Sequence, residues 1–382
     1  MKPSPTKSRK TPKKRSVGRA GPLGPPRLTG GARTQQSVPS DLASHSSSPN
    51  FQASFRESLL DLLWQQWAVL GVAGHAGKAP DWIVDIEALI LVTTTQGRME
   101  PRLFDEMLDW LWTNAHWVNV QRLRNIRKRL SLGDARTLAA VADWLSQRTT
   151  LSKWKPLAAI TPDQPAQPER FYLTKAGLAQ PMVGPSDPTF LRHGFVLPPI
   201  ERRELSRPPN PRNPAALSGK LRSLFGVQAR CEILLWLLTH ESGRPAEIAR
   251  ATFYFPRTVE DTLRELAGSG LVHTAQTGRE KRYWLKSDDW RFLRSWKMPD
   301  RFPRWFDWPR FFSAQEKVLS VLANASLSPL LQASELRREF EDLAPVLKDG
   351  ELLSAFAASR NHPGTEFTAA LFRDLETLFA RL

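Results

Sequence analysis

Thiols, metal-ligand clusters and long apolar runs are all scarce in this chain. A single cysteine, Cys231, occurs among 382 residues, so no intrachain disulfide can form and no thiolate metal site can be assembled; within its apolar run the thiol is expected to pack as a small hydrophobe. That cysteine usage suits a reducing compartment. No apolar core follows the basic N-terminus as in a secretory signal, and no run of about twenty apolar residues could span a bilayer. The expected location is cytoplasmic, with no membrane partner. The seven histidines are scattered without metal-ligand spacing, and no serine sits in a Gly-x-Ser-x-Gly elbow. Gly71 and Gly77-Lys78 fall short of a phosphate loop, because the spacing is one residue too long and Ala79 stands where a magnesium-binding hydroxyl belongs. Asp85 and Glu87 alternate along a helix and are expected on different faces, as poor partners for one metal. No catalytic residue, metal or cofactor is expected.

Positive charge is what the chain has in excess. Lys and Arg number 54 against 38 Asp and Glu, giving a net charge of +16 and a pI near 10.4. That balance favours a polyanionic partner, most often nucleic acid. The first fifty residues hold ten Lys or Arg and one acid, Asp41, among Pro, Ser, Gly and Thr; too little apolar surface is present to offset ordering entropy, so residues 1–50 read as a disordered basic tail. The rest is too long for one core and divides by composition into a helical domain over 51–150, a Pro-rich linker over 151–215, a compact unit over 216–290, and a Trp-rich segment with C-terminal helices over 291–382. The fold class is mainly α.

In the helical domain, Leu59, Leu60, Leu63, Trp64, Trp67 and Leu70 repeat at three and four, predicting an amphipathic helix that ends near Gly71. Further helices are predicted over Asp81–Thr95, Pro101–Thr113, Val120–Leu130 and Asp134–Arg148. The fourth carries Leu123, Ile126 and Leu130 inward and Arg122, Arg124, Arg127 and Lys128 outward, a candidate nucleic-acid contact. With the preceding helix it could form a degenerate helix-turn-helix; a solvated basic face on a bundle helix is the simpler reading. Thirteen prolines lie between Pro156 and Pro214 and exclude long helices there, leaving strand-like fragments at Arg170–Thr174 and Phe190–Leu197.

Signals fall in a recognisable order from Phe225 to Lys286. An apolar run from Cys231 to Leu238 is closed by Ser242-Gly243. Pro245 opens a short helix and Pro256 another, in which Val259, Leu263 and Leu266 share one side. Leu271-Val272 and Tyr283-Leu285 then read as two strands about a turn at Thr277-Gly278. The segments CEILLWLL, PAEIARA, RTVEDTLRELAGSGLV and TGREKRYWL together resemble winged helix-turn-helix bacterial transcriptional regulators of the ArsR/MarR type, over about residues 218–286. The resemblance implies three helices plus a β-hairpin. It also implies a third helix entering the major groove through Arg257, Thr258, Asp261, Thr262 and Arg264, and a wing touching the DNA backbone or minor groove through Arg279, Lys281 and Arg282. Glu260, Asp261 and Glu265 depart from this picture, since they make the reading helix slightly acidic and oppose approach to phosphates.

Beyond the hairpin, Trp290, Trp296, Trp305, Trp308, Phe302, Phe306, Phe311 and Phe312 crowd among arginines. Exposed, such rings could stack bases; the more ordinary role is to fill a seam between domains. Phe367, Leu371, Leu375 and Phe379 repeat at four in the last helix, a face for homodimerisation or for packing within the monomer. The function expected is a DNA-binding transcriptional regulator. Alternatives are an interaction subunit, antitoxin-like or from a defence system, whose winged fold grips another protein, and an RNA-binding protein.

Overall fold

The computed structural model describes residues 48–73, 81–159, 167–175, 177–294 and 300–382, all within one compact unit, Ser44–Leu382. The tail expected over 1–50 is outside the described residues up to residue 47, as are Gly77, Lys78 and Trp296. The described chain is mainly helical, with two small two-stranded sheets.

The N-terminal helices are α1 (Ser48–Val69), α2 (Ile86–Gln96), α3 (Pro101–Asn114), α4 (Val120–Leu130) and α5 (Ala135–Arg148). Their starts follow local chemistry. Asp85, Asn119 and Asp134 cap α2, α4 and α5 by accepting the backbone N–H groups of Ala88, Arg122 and Thr137, and Pro101 opens α3 at the position where its missing N–H costs nothing. Helix α2 begins five residues later than its apolar pattern predicts, because Asp81–Val84 run extended: Ile83 donates to the Arg304 carbonyl at 2.8 Å and Val84 to that of Ala215 at 3.0 Å. Three indoles are buried with their N–H groups satisfied, Trp67 on Thr93 Oγ1 at 3.0 Å, Trp110 on the Leu70 carbonyl at 2.7 Å and Trp308 on the Ile83 carbonyl at 2.8 Å.

The proline-rich stretch holds α6 (Lys155–Ala158), β1 (Glu169–Arg170), α7 (Pro188–Arg192) and β2 (Phe195–Val196), with β1 and β2 pairing in parallel. Phe171, Phe190, Phe195 and Leu197 are buried against the helices. Residues 203–206 form a strap across α3: Asp109 accepts the backbone N–H groups of Arg203, Glu204, Leu205 and Ser206 at 3.0–3.2 Å. Burial would raise the Asp109 carboxyl, but these backbone donors hold it below its ordinary value.

Next come α8 (Leu217–Phe225), α9 (Ala229–Thr239), α10 (Pro245–Thr252) and α11 (Pro256–Gly268), then the antiparallel strands β3 (His273–Thr277) and β4 (Glu280–Trp284). Gly278, at φ +61°, makes the tight hairpin turn where a side chain would be strained. Gly243 pairs with Tyr283, and a Cβ there would lie 2.2 Å from the Trp236 ring, so only glycine fits this crossing. A second apolar cluster holds these elements together around Leu234, Ile248, Val259, Leu263 and Tyr283. Cys231 lies within it, donating to the Gly226 carbonyl at 2.8 Å, and burial pushes its thiol up to about 12, so it packs as an inert side chain.

The chain ends in α12 (Trp308–Ala323), α13 (Pro329–Asp349) and α14 (Glu366–Arg381). These helices share the apolar cluster of α1–α5. Phe302, Phe306, Trp308, Phe311, Phe312 and Trp290 are all buried and fill seams, Trp305 is partly buried, and Phe292 is exposed. On α14, Phe367, Leu371 and Leu375 are buried within the chain, so the face that periodicity left open to a second copy is occupied at home.

Candidate nucleic-acid interface

Helix α4 is amphipathic in an unexpected way. Its bases were all expected to point outward, and Arg124 and Lys128 do, with Arg127 partly covered. Arg122 is the correction: it is buried, at 4 % exposure, and faces inward with Leu123 and Ile126. The reason is a set of acids gathered from other segments. Arg122 Nη1 donates to Asp85 Oδ1 at 2.8 Å and to Glu87 Oε2 at 2.7 Å, and its Nε donates to the Thr252 carbonyl at 3.1 Å. Asp85 and Glu87, expected on different faces, therefore converge on one guanidinium. Asp85 can do so because it caps α2 from outside the helix, with extended backbone.

A second buried arginine completes the cluster. Arg222 on α8 donates to Glu87 Oε1 and Oε2 at 2.8 and 2.7 Å, to Glu232 Oε1 at 2.7 Å, and to the Trp117 carbonyl at 2.8 Å. Two guanidiniums thus sit among three carboxylates from four elements. Burial disfavours every charge here, but Asp85 ends below its ordinary value because Arg122 pairs with it, and both arginines are held firmly protonated by the carboxylates around them. The acid pair at 85 and 87 carried a sequence signal; the pairing of Arg222 with Glu232, ten residues apart across the α8–α9 turn, carried none.

The consequence is that α4 is fastened onto the turn between α10 and α11. Besides Arg122 on Thr252, Asn125 Nδ2 donates to the Phe253 carbonyl at 2.9 Å and Arg129 Nη2 to the Tyr254 carbonyl at 3.1 Å, with the Arg129 guanidinium 5.6 Å from the centre of the Phe255 ring. The Asn119 side chain also bonds the Tyr254 hydroxyl. Phe253 itself is left-handed, at φ +63°, a conformation costly for a bulky residue. Complete burial and the Asn125 bond hold it there. Two stretches singled out separately by sequence, the basic α4 and the first turn of α11, are therefore adjacent.

Beside them, between α4, α5, α6 and Phe255, lies a cavity of about 350 Å³ lined by Gln121, Arg124, Asn125, Arg127, Lys128, Ala135, Leu138, Ala139, Leu157 and Phe255. Its floor is apolar, and every charged residue in its lining is cationic. Phe255 and Leu157 carried no sequence signal as site residues, since one is a lone aromatic at a helix boundary and the other sits among prolines.

The bases of α11 are differently placed. Arg257 Nε and Arg264 Nη1 both contact Asp261, at 3.0 and 2.9 Å. Thr258 is exposed and accepts the Thr262 hydroxyl through its carbonyl at 2.8 Å, while Glu260 and Glu265 are exposed on the same helix and Glu265 pairs with Arg230 at 2.8 Å. On the hairpin, Arg279, Lys281 and Arg282 are all exposed. Arg282 donates to the Ser242 hydroxyl at 3.1 Å and Lys281 lies 5.2 Å from the centre of the Tyr283 ring, while Arg279 has no ionic partner among the described residues.

In the Pro-rich linker, Arg203 faces Asp105 and Glu106, each at 3.3 Å, so its charge is neutralised. Among the described residues no group of His, Cys, Asp and Glu could hold a metal ion, and no helix is long and apolar enough to cross a membrane. No protein-family model matches this chain, and no curated protein and no solved structure matches it either.

Proposed function

We propose that α9–α11 with the β3–β4 hairpin form a winged helix-turn-helix and that the chain is a DNA-binding transcriptional regulator. The observation that carries this reading is the docking of α4 on the α10–α11 turn, which sets Arg124, Arg127 and Lys128 beside the start of α11. A slightly acidic helix is thereby flanked by cations that make no salt bridge among the described residues, and the exposed Arg279, Lys281 and Arg282 supply a wing for the phosphate backbone. In this reading Arg257, Thr258 and Thr262 approach base edges, the flanking cations hold phosphates, and the basic tail adds general affinity.

The test is anisotropy of the full chain on duplexes selected from a random pool, against shuffled duplexes, at two salt concentrations. Preference that persists as salt rises, and that falls in Arg124→Glu/Lys128→Glu, supports the reading; equal binding to all duplexes sinks it.

A specific observation favours a second reading, in which this unit docks a protein. Asp261 neutralises both Arg257 and Arg264, and Glu260 and Glu265 remain at the surface of α11. An acidic α11 suits a basic protein surface better than phosphate. Loss of partner binding, with DNA binding unchanged, in Glu260→Lys would select it. The RNA-binding reading loses much of its support, because most of the described rings it required at the surface, Trp290, Phe302, Phe306, Trp308, Phe311 and Phe312, are buried.

A further inference from the structure

The cavity beside α4 has three properties that together specify a ligand. Its volume, about 350 Å³, is within the range of roughly 300–1,000 Å³ that small-molecule sites occupy. Its floor, Leu138, Ala139 and Leu157, is apolar and almost fully buried, at 1–3 % exposure, while Phe255 offers a ring that is 59 % exposed. Its charged lining is Arg124, Arg127 and Lys128, with no carboxylate.

None of these three cations makes a salt bridge among the described residues, and Arg127 Nε is buried without a hydrogen-bond partner. An arginine donor removed from water and left unpaired is costly unless something fills its place. Gln121 and Asn125 add amides at one side; Gln121 donates to the Asn125 carbonyl oxygen at 3.0 Å, leaving the Gln121 oxygen able to accept. An apolar floor with an open aromatic ring takes a flat ring system, and clustered guanidinium and ammonium groups take an oxyanion.

We propose that this cavity binds a nucleotide unit, with its base against Phe255 and Leu157 and its phosphate between Arg124, Arg127 and Lys128. The unit is either a free mononucleotide or one unstacked from a nucleic-acid strand. Because Asn125 and Arg129 of α4 hold the carbonyls of Phe253 and Tyr254, a ligand pressed between Phe255 and α4 bears directly on the turn that orients α11. Occupancy by a free mononucleotide would thus make the cavity an effector site. The proposal does not require that α11 bind DNA.

The experiment is equilibrium dialysis and calorimetry of the full chain with AMP, adenosine, inorganic phosphate and a 5′-phosphorylated dA trinucleotide. AMP or the trinucleotide should saturate below about 1 mM, with adenosine and phosphate each at least about tenfold weaker. Phe255→Ala, at an exposed position, and Arg124→Ala/Lys128→Ala, both on the outer face, should each weaken that binding by about tenfold or more, with melting temperatures within a few degrees of the parent. Tighter binding of AMP assigns a free effector; tighter binding of the trinucleotide assigns a strand. Absence of saturation by both, or binding unaltered in both variants, overturns the proposal. Unaltered binding would mean that the ligand is held outside this cavity. Failure here leaves duplex recognition, tested by anisotropy, standing or falling separately.

Discussion

Helix α4 carries four arginines and α11 two, and the helices use them in opposite ways. On α11 the bases meet an acid of their own helix: Asp261 lies between Arg257 and Arg264, one turn from each, and draws both. On α4 no acid lies within reach along the helix, so Arg124 and Lys128 remain open to solvent, and only Arg122 finds acids, which come from α2 and α9. Counting basic residues therefore misjudges a surface, because the potential depends on where the nearest carboxylate lies. The same chemical group acts as a structural fastener at 122, an available cation at 124 and a self-neutralised one at 257.

The sharpest way to break the comparison is to remove a buried fastener. Arg222→Met leaves Glu232 without its closest cation and Glu87 with Arg122 alone, and chemical denaturation should show a loss of about 3–5 kcal/mol, because an under-compensated buried carboxylate is far costlier than a lost surface pair.

A partly buried acid on α12, Glu316, gives the next largest effect. Burial pushes Glu316 up to about 7, with the Gly133 N–H at 2.9 Å and the Arg127 charge opposing that rise. The folded state thus holds a proton that the unfolded state releases above its ordinary value of 4.5. Stability from this group is full below about 4.5 and is lost as pH rises to about 7, by something on the order of 3 kcal/mol. Glu316→Gln keeps an acceptor for Gly133 and should flatten that slope; a variant with the parent's pH dependence would show that Glu316 is ionised throughout.

On the outer face, Arg124→Glu/Lys128→Glu should lower affinity for duplex DNA by about tenfold or more and reduce the slope of log affinity against log salt by about 2. Stability should hardly change, since neither side chain has an ion-pair partner among the described residues. The smallest effect is expected at Asp261→Asn. Surface pairs of this kind contribute about 0–1 kcal/mol, so melting should shift little. Releasing Arg257 and Arg264 should raise duplex affinity a few-fold under the regulator reading, and leave it unchanged if α11 faces a protein.

Legibility followed the range of the interaction involved. Helix α4 has the bounds its sequence predicts, Val120–Leu130, and α10 and α11 begin at Pro245 and Pro256, because caps, proline and apolar spacing act within a turn or two of the chain. The hairpin was placed by Thr277-Gly278 for the same reason, though its strands run closer to the turn than apolar content suggested: His273–Thr277 are mostly exposed and pair by the backbone ladder, with the His273 ring stacked on Trp284. The start of α2 was misplaced because Asp81–Val84 pair with segments 130 and 220 residues away, which no local pattern encodes.

By itself the sequence determined that the chain is mainly helical, where its capped and proline-started helices begin, that Cys231 packs as a hydrophobe, and that the surface is basic. These follow from periodicity, capping and composition, all of which are local or additive. Only the tertiary structure decided that Arg122 is a fastener, that Asp85 and Glu87 share it, that Phe302, Phe306, Trp308, Phe311 and Phe312 are internal, and that α4 adjoins the start of α11. Each of these depends on which distant group comes within about 3–4 Å, and at that range charge pairing and desolvation decide whether an arginine holds the fold together or faces solvent.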